Sequence, residues 1–209
     1  SVMKLWKQAL DFVQSEGVSF VDQNKRQCRE AQGLVLTLKA FDDIDAPIEH
    51  LSHIQKWIYP RSQEIRSIMF DAHLSRSYAY SYGQRMFAYG ENDLNQVDNY
   101  VIPLLKRNPF SRKAIITCWN PSRDAHLDQS IVPGLVAIDV KLRGDKLQLY
   151  AVVRSNDIFI GWPSNMYQLY CLGEYIAGKL NASLGQITTF STSAHVFDDD
   201  QKQIDVVLA

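Results

Sequence analysis

The sequence is short of several things, and each shortage excludes a class of protein. Its three cysteines, Cys28, Cys118 and Cys171, are odd in number and too widely spaced for a disulfide framework or a CxxC metal pair. That usage points to a reducing, cytoplasmic setting. Basic and acidic residues nearly cancel, 22 against 23, for a formal net charge of −1. No global basic excess therefore argues for a nucleic-acid polymer as partner. No apolar run approaches the roughly 18 residues that a membrane span needs. The leading SVMKLWKQALDF is amphipathic and interrupted by Lys4, Lys7 and Gln8, so it does not read as a signal peptide. GxGxxG, GxxxxGK, HExxH and GxSxG are all missing, as are internal repeats and low-complexity tracts. His50 and His53 fall in a segment whose apolar face is already assigned, and His73 and His126 are isolated, so no metal site is expected.

What is present is an ordinary globular pattern. The chain has 209 residues, 46% of them hydrophobic, enough for one domain with a complete core. A first helix is expected over residues 3–15, closed by Gly17, then a strand, GLVLTLKA, at 33–40. Asp45 and Pro47 read as the start of a second helix, in which Ile48, Leu51, Ile54, Trp57 and Ile58 recur at helical spacing. A third helix is predicted over 93–107, with Leu94, Val97, Val101, Leu104 and Leu105 on one face and a bend at Pro103. Strands follow at 113–119 and 136–143, and Gly144-Asp145 turns the latter into KLQLYAVVR (146–154) as a hairpin. A helix from Asn165 to Leu180 and a strand QITTF (186–190) complete the reading: an α/β fold on a mostly antiparallel or mixed sheet. The helices carry too few apolar stripes to cover both faces of such a sheet, so a two-fold homodimer through a sheet face is expected.

One stretch breaks the pattern. AVVRSNDIFIGWPSN (151–165) sets Arg154, Ser155, Asn156 and Asp157 between two apolar runs. Unpaired charges are costly to bury, so these groups must meet each other, a partner or a ligand. Arg112 and Lys113 at the start of a strand, and STSAHVF (191–197) with its hydroxyls and His195, could converge on the same place. Together they would make a phosphate site, because guanidinium groups grip phosphate oxygens through two bonds. The plainer alternative is an internal Arg154–Asp157 ion pair, a solvated Arg112–Lys113 edge and a solvated Asp198–Asp199–Asp200 turn. The aromatic run YAYSYG (78–83) reads as core packing.

The order SRKAIITCWNPSRD, VPGL, RSNDIFIGWPSN and SAHVF, with Tyr82-Gly83-Gln84-Arg85 ahead of it, resembles the thymidylate synthase and pyrimidine hydroxymethylase family, in particular its short archaeal-type members. The motif-bearing core is 78–197; residues 1–77 match only in general character, and 198–209 form a tail. The resemblance implies a three-layer thymidylate-synthase-like fold on a twisted mixed sheet, one domain over 1–209. It implies transfer of a one-carbon unit from 5,10-methylenetetrahydrofolate or a related reduced pterin to a pyrimidine nucleotide. Arg154 and Ser155 would then hold the phosphate, with Arg112 and Lys113 reaching across from the other subunit of a homodimer. Asp157 would orient the pterin, Asn165 would bond the pyrimidine edge, and Gly161 would let the backbone approach the base. His195 would bind a ribose hydroxyl, and Tyr82 would sit near the reacting carbon.

Four positions depart from the family. Its nucleophilic Cys follows a Pro; here Pro133 is followed by Gly134. A thiolate adding at C6 is what makes C5 of a pyrimidine nucleophilic, and glycine cannot do this. Val153 stands where the family has Gln, Phe197 where it has Tyr, and Lys113 replaces the second Arg, keeping charge without the planar fork. Cys118 and Cys171 read as buried core residues rather than substitutes. Three readings stay open: an enzyme working without a cysteine adduct, a non-catalytic nucleotide-binding or regulatory homologue, and an engineered Cys-to-Gly knock-out.

Overall fold

The computed structural model describes residues 1–73 and 78–209. Helix α1 (Val2–Glu16) places Val2, Trp6, Ala9, Leu10 and Val13 on one buried stripe, and Ser1 caps it by accepting from the Lys4 N–H at 3.3 Å. Strands β1 (Val18–Val21) and β2 (Gln27–Leu38) follow, then α2 (Ala46–His53), α3 (Ser62–Met69) and α4 (Tyr82–Phe87). A π-helical turn (Val97–Val101) leads into α5 (Ile102–Arg107), β3 (Ile115–Thr117) and the short α6 (Pro121–Asp124). Then come β4 (Leu135–Arg143), β5 (Lys146–Val153), β6 (Asn156–Asp157), α7 (Gly161–Lys179), β7 (Ser183–Phe197) and α8 (Gln201–Leu208).

These build a mixed α/β fold on one twisted seven-stranded sheet, in the order β1-β2-β7-β5-β4-β3 with β6 alongside β7. All pairings are antiparallel except β5–β7 and β6–β7. A parallel neighbour needs a crossover, and α7 supplies it, burying Trp162, Met166, Leu169, Leu172 and Ile176. Two tryptophans lock the site's end of the sheet. Trp162 Nε1 donates to Thr189 Oγ1 at 3.2 Å, and Trp6 Nε1 donates to the Ile158 carbonyl at 2.8 Å while its ring stacks on Phe159.

The hairpin at Gly144, with φ of 61°, forms as its sequence predicts. Other elements shift for physical reasons. The second helix stops at His53, because Gln55 turns left-handed (φ 58°) and the Lys56 and Trp57 N–H groups both return to the Leu51 carbonyl. Ile54, Trp57 and Ile58 thus leave the helix, and the freed loop carries Tyr59 and Pro60 to the cleft described below. The helix expected over 93–107 begins only at Val97; Leu94 instead bridges Tyr89. Pro103 has no N–H for the carbonyl four residues back, so the turn ahead of it opens into π geometry. Helix α7 starts at Gly161 rather than Asn165, since Pro163 in a first turn forfeits no helical bond. Strand β7 runs on to Phe197, so STSAHVF lies within a strand.

Candidate active-site cleft

Where β5 ends and α7 begins, a cleft of about 560 Å³ opens, within the usual range for small-molecule sites. Its lining includes Arg154, Ser155, Asp157, Gly161, Asn165 and His195, together with Tyr82 and Gly134. Residues far apart in the chain are assembled because β5 delivers the polar island, β7 delivers His195, and α4 delivers Tyr82. Arg112 and Lys113 are exposed and lie outside the lining, so this chain does not bring them to its own cleft.

Arg154 is held without being neutralised. Its Nε donates to the Pro133 carbonyl at 2.9 Å and an Nη to the Val132 carbonyl at 3.2 Å, and the guanidinium lies 5.6 Å from the Trp119 ring centre. Among the described residues it forms no ion pair, so the internal Arg154–Asp157 pairing offered by the plainer reading does not occur. Carbonyls orient a guanidinium but leave its charge available to an anion.

Asp157 is fixed by a tight turn. Its Oδ1 accepts from the Phe159 N–H at 2.9 Å and the Ile160 N–H at 3.3 Å. Its Oδ2 has no partner among the described residues. Burial pushes the carboxyl up to about 6, against those two bonds. Gly161 permits this turn, since a Cβ there would come within 3.3 Å of the Asp157 Cβ. Buried Asn156 organises the floor: its Nδ2 donates to Ser191 Oγ at 2.9 Å, and its Oδ1 accepts from Asn165 Nδ2 at 3.1 Å. Asn165 is thereby held one turn into α7, and its side-chain carbonyl oxygen has no partner among the described residues.

Gly134 forms the opposite wall. A Cβ built there would lie 3.0 Å from the Ser155 carbonyl and 3.7 Å from the Tyr82 hydroxyl, so a side chain at 134 would face the same space. The Arg154 N–H donates to the Gly134 carbonyl at 2.8 Å, fixing that wall to the polar island. The Tyr82 hydroxyl accepts from the Leu135 N–H at 3.2 Å, and burial holds its proton well above the usual phenol range. The Tyr82-Gly83-Gln84-Arg85 run is explained by packing. Ser81 caps α4, a Cβ on Gly83 would collide with the Ile68 carbonyl at 2.4 Å, and Arg85 forms a buried fork with Asp124 at 2.7 and 2.8 Å.

His195 stands beside Asp157 in the β6–β7 register, its Nδ1 3.3 Å from Ser193 Oγ. Burial pulls its imidazole below the ordinary histidine range, against the pull of Glu30. Val153 is fully buried, and Phe197 lies under the Arg26 guanidinium, 3.4 Å from its ring centre. All three thiols are buried and free, and burial pushes that of Cys118 up to about 12, leaving it inert as a nucleophile. Of the Asp198–Asp200 run, Asp198 and Asp199 are exposed as expected, but Asp200 is buried and pairs with Lys56 at 2.9 Å.

The sequence reading gave no role to Asn156, Ser164, Gln168 or Tyr59 and took Tyr78 and Tyr80, within YAYSYG, for core packing, whereas all six line the cleft. Asn156 carried a signal, since it sits inside the polar island. Ser164 and Gln168 are four residues apart on α7 and joined by a Gln168 Nε2 to Ser164 Oγ bond at 3.2 Å, and the tyrosines come from loops whose path no periodicity reveals.

The thymidylate synthase family profile matches residues 31–209. Similar archaeal proteins carry that name provisionally. The one from Methanosarcina barkeri is 30% identical over 208 residues, covering 100% of this chain and 92% of the relative. Its counterpart from Methanococcoides burtonii is 28% identical over the same span, and that from Methanocaldococcus jannaschii is 35% identical over 127 residues, 58% of this chain and 57% of the relative. With the profile spanning most of the chain and the M. barkeri relative matching along its whole length, the chain belongs to the thymidylate synthase family.

Proposed function

We propose that this protein is a one-carbon transferase acting on a nucleoside monophosphate, moving a methyl or hydroxymethyl group to the base without a cysteine adduct. One observation carries the reading. An uncompensated Arg154, an Asp157 with a free carboxylate oxygen and an Asn165 with a free carbonyl oxygen face one cleft. A simple phosphate binder would use Arg154 and Ser155 but has no need of the other two. In this reading Arg154 and Ser155 grip the phosphate, Asn165 orients the base and Gly161 admits its edge.

The donor we propose is 5,10-methylenetetrahydrofolate or a related reduced pterin. The free Oδ2 of Asp157 suits the N–H edge of such a ring, and Tyr59, Tyr78 and Tyr80 offer flat apolar walls. Bound there, the pterin would supply the one-carbon unit, while Asp157 orients it and Tyr82 anchors the wall beside the acceptor carbon. With Gly134 in place of a thiol, the acceptor ring must be electron-rich enough to react without prior addition at its neighbouring carbon. Exposed Arg112 and Lys113 would complete the phosphate site across a two-fold homodimer, in the cytoplasm.

Gly134 also favours a second reading, a nucleotide-binding protein with a regulatory role; an engineered cysteine replacement is the third. Incubation of a base-tritiated nucleotide panel with methylenetetrahydrofolate tests the first reading against the other two. Tritium release or a mass gain on one nucleotide supports the transferase. Tight nucleotide binding with no turnover across the panel sinks it and leaves the binding role or the knock-out, which Gly134→Cys tells apart.

A further inference from the structure

His195 stands at the end of a short chain of hydrogen bonds that begins on β2. Glu30 on β2 stands directly across from His195 in the β2–β7 register, and its carboxylate Oε1 accepts from the Ser193 hydroxyl. Its second oxygen, Oε2, accepts from Gln32 Nε2 at 3.1 Å, which holds the carboxylate in place. Ser193 Oγ in turn lies 3.3 Å from His195 Nδ1.

The chemistry of each group sets the direction of each bond. An ionised carboxylate has no proton to give, so Ser193 commits its single hydrogen to Glu30. The Ser193 oxygen then offers only lone pairs, and the nitrogen facing it must carry the proton. A neutral imidazole has one N–H, so His195 Nε2 is bare. The Ser193 backbone also accepts from the ring; Nε2 makes no side-chain hydrogen bond among the described residues, and His195 lines the cleft. The charged groups around the ring are Glu30 and Arg26 on and beside β2, Asp22 in the preceding turn, and Asp157 as its neighbour on β6.

We propose that Glu30 and Ser193 are positioning residues that lock His195 in its Nδ1–H tautomer, making Nε2 a dedicated acceptor for a ligand hydroxyl in the cleft. The identity of that ligand as a sugar rests on the nucleotide reading above; the tautomer does not. A site so fixed selects a ligand that donates a hydroxyl hydrogen there and discriminates against one lacking it, because a bare buried acceptor would be left unpaired.

A long-range proton–nitrogen correlation spectrum of the ligand-free protein near pH 7.5 tests the tautomer, with His195→Gln assigning the resonances. The expected pattern is a protonated Nδ1 and an unprotonated Nε2. Ser193→Ala and Glu30→Gln should each shift the balance towards the Nε2–H form, while Ser193→Thr, which restores the hydroxyl, should preserve it. A wild-type Nε2–H tautomer overturns the proposal, and so does a pattern indifferent to both Ser193→Ala and Glu30→Gln. Calorimetry with 2′-deoxyuridine monophosphate and its 2′,3′-dideoxy analogue then tests the acceptor role. Ser193→Ala should weaken the first by about 3–10-fold, the range of one ordinary hydrogen bond, and leave the second unchanged. Equal loss for both overturns the hydroxyl acceptor. If neither nucleotide binds the wild-type protein, the proposed function fails and the spectrum alone decides the relay.

Discussion

Arg85 and Arg154 flank the same segment of chain and live by opposite rules. Arg85 is buried, forks onto both oxygens of Asp124 and adds the Cys118 carbonyl at 3.2 Å. Arg154 is exposed, aimed by two neutral carbonyls and beside the Trp119 ring, with no carboxylate partner among the described residues. The first guanidinium has all its countercharge inside the protein; the second is oriented and left wanting an anion. A buried pair made within the chain serves the fold, whereas an aimed but uncompensated cation keeps its charge available, which is what the proposed phosphate role requires.

The sharpest way to break that contrast is to remove a countercharge. Asp124→Ala strands the Arg85 guanidinium in the core and should cost about 3–5 kcal/mol of stability by denaturant unfolding. Arg154→Ala should leave the unfolding midpoint within experimental scatter. Equal destabilisation by the two would erase the distinction.

Asp157 sharpens it from the acidic side. Its carboxyl is raised to about 6 by burial, so its proton is held more tightly in the folded chain than in the unfolded one. The protonated form therefore favours folding at low pH, and that contribution is lost as pH rises through the folded value. Asp157→Asn keeps the acceptor for the Phe159 and Ile160 N–H groups without the charge. It should raise stability at pH 8 by up to about 3 kcal/mol, leave it little changed near pH 4, and abolish turnover. A destabilised Asn variant at pH 8 would show that the charge is compensated in the fold after all.

Loss of the Arg154 side chain should weaken nucleoside monophosphate binding by roughly 10–150-fold, the value of about 1.5–3 kcal/mol for a charge-assisted contact. Calorimetry should find it the most damaging change in the 154–157 stretch. Arg112→Ala should weaken binding as well, provided light scattering finds a dimer. A monomer at micromolar concentration would remove Arg112 and Lys113 from the site.

A small structural effect is expected at Gly134. Its backbone needs no glycine, and the nearest obstacle to a Cβ is the Ser155 carbonyl at 3.0 Å. Gly134→Cys should cost about 1 kcal/mol or less by thermal unfolding. In an engineered knock-out it should also restore turnover and a covalent adduct with a 5-fluoropyrimidine nucleotide, read by denaturing mass spectrometry. In a protein naturally built around glycine it should do neither, and native activity should survive alkylation of accessible thiols.

The sequence by itself determined the hairpin at Gly144 with its two strands, the cores of β2, β3 and β7, the long helix after the polar island and the island itself, because hydrophobic period, turn residues and misplaced charge are local signals; β1 and β6 it did not show. It also placed Arg154, Ser155, Asp157, Gly161, Asn165, His195, Tyr82 and Gly134 as candidates, through motif order along the chain. Helix boundaries around Pro103, Pro163 and Gln55 lay outside its reach, since a proline tolerated in a first turn reads the same as one that stops a helix. Whether Arg154 pairs with Asp157 was likewise a question of distance, and pattern carries no distances. Only the tertiary structure decided it, by setting the Val132 and Pro133 carbonyls under the guanidinium and turning Asp157 onto its own backbone. The Glu30–Ser193–His195 chain was invisible for the same reason: β2 and β7 lie at opposite ends of the sequence, and only strand register puts a carboxylate across from that imidazole.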